Sequence, residues 1–209
     1  AMEQRITRAK ARIATANVPF ETPGAVERAE RFAAVAAMIY LVFNEGYSAN
    51  DGAGDVRRSL CDEAIRLARL LIRLFPTEPE MMGLAALMLR QHARSPARFD
   101  EAGDIVLLEA QDRGRWNAKM IAEGLALIDK AMRHRRPGPY QLQAAIAALH
   151  AQAKSYAATD WRQIAGLYDV LMRLQPSPVV ALNHAAAISM VDGPQAALNL
   201  VDSLAAREK

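Results

Sequence analysis

Cysteine, aromatic residues, long apolar runs and β-type alternation are all scarce in this 209-residue chain. The single cysteine, Cys61, excludes an internal disulfide and suits a reducing compartment. The longest apolar run, which ends at Phe43, is well short of the roughly 20 residues needed to span a bilayer. The N-terminus lacks the continuous apolar core of a secretory leader. No strand-like alternation or hairpin signal appears, which argues against a β architecture. Aromatics are 6% of the chain, whereas alanine and leucine, both good helix formers, are abundant. At 52% apolar and 23% charged residues, the composition is that of a folded protein.

Charge of one sign is also scarce, except at one end. Arg5, Arg8, Lys10 and Arg12 face only Glu3 in the first 12 residues, and this local excess accounts for the whole net charge of +3. Nucleic acid is held by clustered cations that displace counterions from phosphate, and only this segment offers them.

Helical signals fill most of what is there. "AMEQRITRAKARI" reads as a basic amphipathic helix, with Ile6, Ala9 and Ile13 on one stripe. Thr22 and Pro23 open a second helix running to about Phe43 or Asn44, whose later half is apolar all round and so is expected to be buried centrally. "YSANDGAGD" reads as a loop, and Ser59 as the cap of "LCDEAIRLARLLIRLF". Thr77 and Glu80 fit a capping box before "PEMMGLAALMLRQHA". Residues 95–115 are the least helical part; "DIVLLEAQ" is extended or helical. Further helices are expected at about 117–134, 139–154, 160–174, 178–191 and 194–206, opened by Gly138-Pro139, Asp160 with Gln163, Ser177-Pro178 and Gly193-Pro194.

An internal repeat ties these together. "EAIRLARLLIRLFP" (63–76) and "QIAGLYDVLMRLQP" (163–176) align without gaps at an offset of 100, matching Leu67 with Leu167, Leu71 with Leu171, Arg73 with Arg173 and Pro76 with Pro176. Ala85-Ala86 then matches Ala185-Ala186. The offset reads as three periods of a helix pair of roughly 34 residues. "LMRLQPSPVVALNHAAAISMVDGPQAALNLVDSL" resembles a tetratricopeptide repeat, with Ala185, Ala186, Ala196 and Ala197 at the helix contacts. The expected fold is all-α, a right-handed, degenerate tetratricopeptide-like array of eight to nine helices.

Chemistry is harder to find. Cys61 is followed by Asp62 and Glu63, which raise a thiol pKa rather than activate it. No two of His92, His134, His150 and His184 have the i, i+4 spacing of a helical metal pair. "DGAGD" lacks the Lys-Ser/Thr of a phosphate loop. Two polar-aromatic segments stand out: "IYLVFNEGY", with Tyr40, Asn44, Glu45 and Tyr47, and "LLEAQDRGRW", with Asp112, Arg113 and Trp116. Polar groups at the end of an apolar helix are expected to be partly buried and hydrogen-bonded. Arg113 is expected to pair near Asp112 or with Glu45, pinning the loop to the helix tip. If space remains between helix 24–44 and loop 104–116, it is a pocket. A concave repeat face would carry Tyr140, Gln143 and Asn183, with Trp116.

Many segments in order resemble one family. "YLVFNEGYSA", "LCDEAIRLARLL", "PEMMGLAALMLRQHARSPAR", "LLEAQDRGRWN", "IAEGLALIDKA", "GPYQLQAAIAALHAQA", "TDWRQIAGLYDVL" and "SPVVALNHAAAISMVDGP" look like the C-terminal extension of a group of extracytoplasmic-function RNA polymerase sigma factors. Residues 1–16 resemble the last helix of that family's promoter-reading region 4, and 17–209 the tetratricopeptide-like regulatory domain. The resemblance implies a cytoplasmic bacterial transcription regulator that meets RNA polymerase core and promoter DNA through the rest of the full-length protein. The extension itself would contact its own sigma domains or a regulatory protein, with no catalytic residue, metal, cofactor or membrane. A small-molecule-sensing domain is the alternative expectation.

Overall fold

The computed structural model of the protein describes residues 2–16, 24–47 and 54–207. Nine α-helices lie among them: α1 (Met2–Thr15), α2 (Ala25–Tyr47), α3 (Gly54–Leu74), α4 (Pro79–Ala93), α5 (Ala118–Met132), α6 (Pro139–Gln152), α7 (Trp161–Leu174), α8 (Pro178–Asp192) and α9 (Pro194–Arg207). The only β pairing among the described residues is a single antiparallel bridge, Phe99 with Ile105. The all-α expectation therefore holds.

The chain divides into two compact units, residues 1–35 and 36–209. In the first, Arg8, Lys10 and Arg12 of α1 are exposed, and Arg8 Nε donates to the Gln4 carbonyl at 3.2 Å. The Arg5, Ile6 and Ala9 side chains lie outside the described residues, as do Thr22 and Pro23. Ile13 is exposed.

In the second unit each helix from α3 to α9 packs on the next, and α4 also packs on α6. Two of these packed pairs, α3–α4 and α7–α8, contain the matched segments. Only one pair, α5–α6, lies between them, with the stretch 94–117, which holds two short 3-10 turns and no α-helix. The offset of 100 residues is therefore two pair steps plus a long loop, not three steps. The match is also imperfect in packing: Ala85, Ala86 and Ala185 are buried, but Ala186 is exposed.

The central helix is α4, not α2. Met81 to Arg90 are all buried, whereas Met38, Leu41 and Val42 of α2 are exposed beside buried Ala36, Ile39 and Phe43. An all-apolar helix wants neighbours on every side, but small residues decide which helix can be approached that closely. A Cβ on Gly83 would lie 2.6 Å from the Gln141 backbone nitrogen, so the α4 and α6 backbones come close together there. Gly124 of α5 likewise leaves room for Arg90, whose Cγ would be 3.0 Å from an added Cβ.

Helix caps follow the expected chemistry at three starts. Asp160 accepts from the Gln163 N–H at 2.9 Å, Ser177 from the Val180 N–H at 3.2 Å, and Asn117 from the Lys119 and Met120 N–H groups at 3.1 Å. Gly193 takes φ 91° between α8 and α9. Two caps differ. Helix α3 starts at Gly54, so Ser59 is inside it. The N-cap of α4 is Glu78, with no side-chain cap bond, so Thr77 and Glu80 do not form a capping box. Glu80 instead serves α6, because α4 and α6 run close enough for its carboxylate to reach the neighbouring helix start.

Candidate functional site

Stripes of two packed helices line a cleft of about 380 Å³. Helix α4 supplies Leu87, Arg90 and Gln91, with Arg94 at its C-cap, and α6 supplies Gln143, Ile146, Ala147 and His150. Both sets have i, i+3, i+4, i+7 spacing, one face of a helix. Tyr40 from α2, Leu108 and Trp116 from the loop, Tyr168 from α7, and Val179 and Asn183 from α8 complete the lining. The size is within the usual range for small-molecule sites.

The polar end of this cleft is cationic. Arg90 is 2% exposed; its Nη1 donates to the Ile121 carbonyl at 3.2 Å and its Nη2 to the Ala148 carbonyl at 2.9 Å, while its Nε has no partner. Burial with only neutral acceptors pushes its guanidinium pKa down to about 10. Arg94 donates through Nε to Gln111 Oε1 at 3.1 Å, and its two terminal nitrogens make no hydrogen bond among the described residues. Burial lowers its pKa too, with Arg98 and Arg113 adding repulsion. The Trp116 ring has the Arg113 guanidinium 4.9 Å and the Arg94 guanidinium 5.7 Å from its centroid. Burial first, and then the charges of Arg94 and Arg113, push the His150 imidazole down to about 4, so it is neutral at pH 7. Its Nδ1 and the Trp116 Nε1 are buried without partners. None of the lining residues is a carboxylate, serine, threonine or cysteine.

The structure gathers Tyr40, Trp116, Gln143 and Asn183 into this one cleft, although the sequence suggests two separate surfaces. Asn183 is exposed, with its Nδ2 on the Val179 carbonyl at 3.0 Å. Tyr140 packs edge-on against Tyr40, ring centroids 5.6 Å apart, beside the core cluster of Ala86, Leu87, Ile128, Ala144 and Ala148. Asp112 caps the short turn Arg113–Arg115, its Oδ1 accepting from the Gly114 N–H at 2.8 Å.

Other expectations need correction. Arg113 pairs with neither a neighbour of Asp112 nor Glu45; it donates to the carbonyls of His150 and, at 3.1 Å, Ala153 at the end of α6. Those carbonyls are left free where a helix ends, so they attract a cation. Glu45 is exposed and Asn44 is half-buried. The tip of α2 is held by Arg98, which donates to the Tyr47 carbonyl and stacks 3.7 Å over the Tyr47 ring. Loop 107–116 is fastened to α6 instead. "DIVLLEAQ" is non-helical, and the Val106 N–H donates to the Arg98 carbonyl at 2.8 Å. Cys61 is buried, its Sγ on the Phe43 carbonyl at 3.5 Å, and burial more than Asp62 pushes its thiol up to about 11.

Sequence reading misses Arg90, Gln91, Arg94, Arg98, His150 and Tyr168. The signal was present for the α4 and α6 residues: a polar residue recurring on one stripe of an otherwise apolar helix. A shallower cleft of about 500 Å³ lies by His92, Ser95, Pro96, Phe99, Arg115, Asn117 and Met120. His92 Nε2 there is 3.3 Å from the Asp62 carboxylate. Among the described residues, no three His, Cys, Asp or Glu side chains gather as a metal would need, and no helix is long and apolar enough to cross a membrane.

The described residues thus define an all-α, repeat-like domain with a sheltered cationic cleft. Residues 31–132, which include α4 and much of the cleft, match a family described as a family of unknown function (DUF6596). An uncharacterized protein of Rhizobium meliloti (strain 1021) is 68% identical over 207 residues, covering 99% of this chain and 49% of that protein. The chain spans about half the length of this curated relative. No solved structure matches it.

Proposed function

We propose that this chain is a non-catalytic regulatory domain of a sigma factor, and that its cleft is where regulation is received. The observation that carries the non-catalytic reading is the cleft's composition. It has cations, amides, rings and a neutral histidine, but no nucleophile beside a base and no carboxylate pair to move a proton. Such a lining is suited to holding a ligand or a partner side chain. The sigma-factor reading is supported by the resemblance of ordered segments along nearly the whole chain. The half-length match to a longer relative leaves room for a separate promoter-reading part. In this reading the full-length protein is cytoplasmic, meets RNA polymerase core and promoter DNA through that other part, and is gated by this domain through protein contacts.

A second reading, a small-molecule sensor, is favoured by the cleft's size and by its unpartnered donors, Arg90 Nε and Trp116 Nε1. The two readings are compatible, since a ligand that stabilises one arrangement of helices shifts the population available to a partner. The test compares promoter output of the full-length protein with that of a version lacking residues 17–209. Output altered several-fold supports regulation by this domain. Equal output at equal protein level sinks it.

A further inference from the structure

The cleft has an uncompensated positive charge, and this narrows what it can take. Of four nearby guanidiniums, Arg90 and Arg94 line the cleft, Arg113 shares the Trp116 ring with Arg94, and Arg98 lies outside the lining, over Tyr47. Among the described residues none of the four makes an ion pair with a carboxylate. Elsewhere in the chain Arg31, Arg66 and Arg69 do find carboxylates. Gathered like charges without a counter-charge destabilise a fold, and buried cations are ordinarily paired. Arg90, Arg98 and Arg113 at least satisfy backbone carbonyls. Arg94 does not: among the described residues only its Nε is engaged, so a half-buried arginine of the cleft lining keeps a fork of two terminal nitrogens without an acceptor there. That fork matches the two oxygens of a carboxylate or phosphate.

The rest of the lining sets the remainder of the ligand. Leu108, Ala147 and exposed Val179 are apolar, Tyr40 and Tyr168 present rings, and nearly buried Leu87 and Ile146 form the apolar floor. A free inorganic ion would leave this surface unused.

We propose that the cleft binds a small organic anion, with its carboxylate or phosphate on the terminal nitrogens of Arg94 and its apolar body among Ile146, Val179 and Tyr168. This rests on reading the cleft as a binding site and adds the ligand's chemical class. Gln143 and Asn183 lie where they can accept or donate to a polar substituent on that body.

The test is calorimetric titration of the whole chain with phenylacetate, phenyl phosphate, inorganic phosphate and neutral 2-phenylacetamide, to concentrations of order 10 mM. The anionic aryl compounds are expected to bind, and the neutral amide at least about 10-fold more weakly. Which aryl anion is tighter separates a carboxylate from a phosphate ligand. Arg94→Gln should weaken the better anion by about 10- to 100-fold. Gln143→Glu, which puts a carboxylate in the cleft, should weaken it as well while leaving the thermal midpoint unchanged or raised. Equal binding of amide and anions overturns the anion inference and leaves the cleft as a binding site. No binding by any probe, or binding unmoved in both variants, overturns it too. Neither result bears on promoter output after deletion of residues 17–209, so the two proposals fail separately.

Discussion

Glu80, in the first turn of α4, caps the first turn of α6 through Gln141. Its Oε1 accepts from the Gln141 backbone N–H at 3.2 Å and from Gln141 Nε2 at 2.9 Å, while Oε2 accepts from the Tyr140 N–H at 3.0 Å. Four N–H groups at a helix start lack partners within the helix, and a carboxylate there also complements the dipole. This bond set ties together the two helices whose stripes line the cleft.

Glu80→Ala should therefore destabilise the domain by about 1–3 kcal/mol, a drop in thermal midpoint of roughly 2–10 °C. Gly138 shares the arrangement, since a Cβ there would lie 2.2 Å from Glu80 Cδ. Gly138→Ala should displace the carboxylate and cost a similar amount. The two costs should not add: with Glu80 already removed, the second change should be milder by about 1 kcal/mol. Denaturant titration of both single variants and the double variant reads this coupling. Strict additivity would show that Glu80 and Gly138 act independently.

Arg90 is a structural cation whose fork reaches α5 at the Ile121 carbonyl and α6 at the Ala148 carbonyl. A lysine keeps the charge but cannot span two acceptors in that planar geometry. Arg90→Lys should cost roughly 2 kcal/mol or more in a denaturant titration, against less than about 0.5 kcal/mol for exposed Arg173→Lys. Equal small effects would mean that charge alone, not the fork, matters at this site.

His150 sets a pH dependence with a definite sign. Its pKa is about 4 when folded, against an ordinary 6.5, because burial and two guanidiniums oppose its charge. Below about pH 6.5 the unfolded chain takes up a proton that the folded chain refuses, so stability falls as the pH falls toward 4. The loss from this one group is at most about 3 kcal/mol. His150→Gln should flatten the difference in stability between pH 7 and pH 4.5 relative to the native chain. A parallel profile in that variant would show that His150 titrates normally.

Periodicity and turn chemistry carry most of the fold. Pro79, Asp160 and Ser177 are strong local signals, and the helices they open appear close to their expected bounds. What could not be read is which side chain bridges to which element. Glu80 satisfies a local capping pattern and yet serves a helix 60 residues away, because only packing brings α6 within reach. Arg98 and Arg113 look like loop charges in sequence, whereas each finds carbonyls at a helix end, on Tyr47 and on His150. The cleft was half legible for the same reason. Aromatic Tyr40 and Trp116 attract notice beside an apolar run, but Arg90 and Arg94 resemble ordinary surface arginines until α5 and α6 meet Arg90 and the loop's Gln111 and Trp116 meet Arg94. Their spacing with Leu87 and Gln91 on one helical face is the clue that sequence alone offers.

The most direct measurement is promoter output from the full-length protein carrying Arg94→Gln, or separately Gln143→Glu, beside exposed Arg173→Gln as the control. All three should fold with thermal midpoints within a few degrees of the native protein. If the cleft receives the regulatory signal, the two cleft variants shift output several-fold and the control does not. Output equal across all four proteins, at equal protein level, would contradict the account.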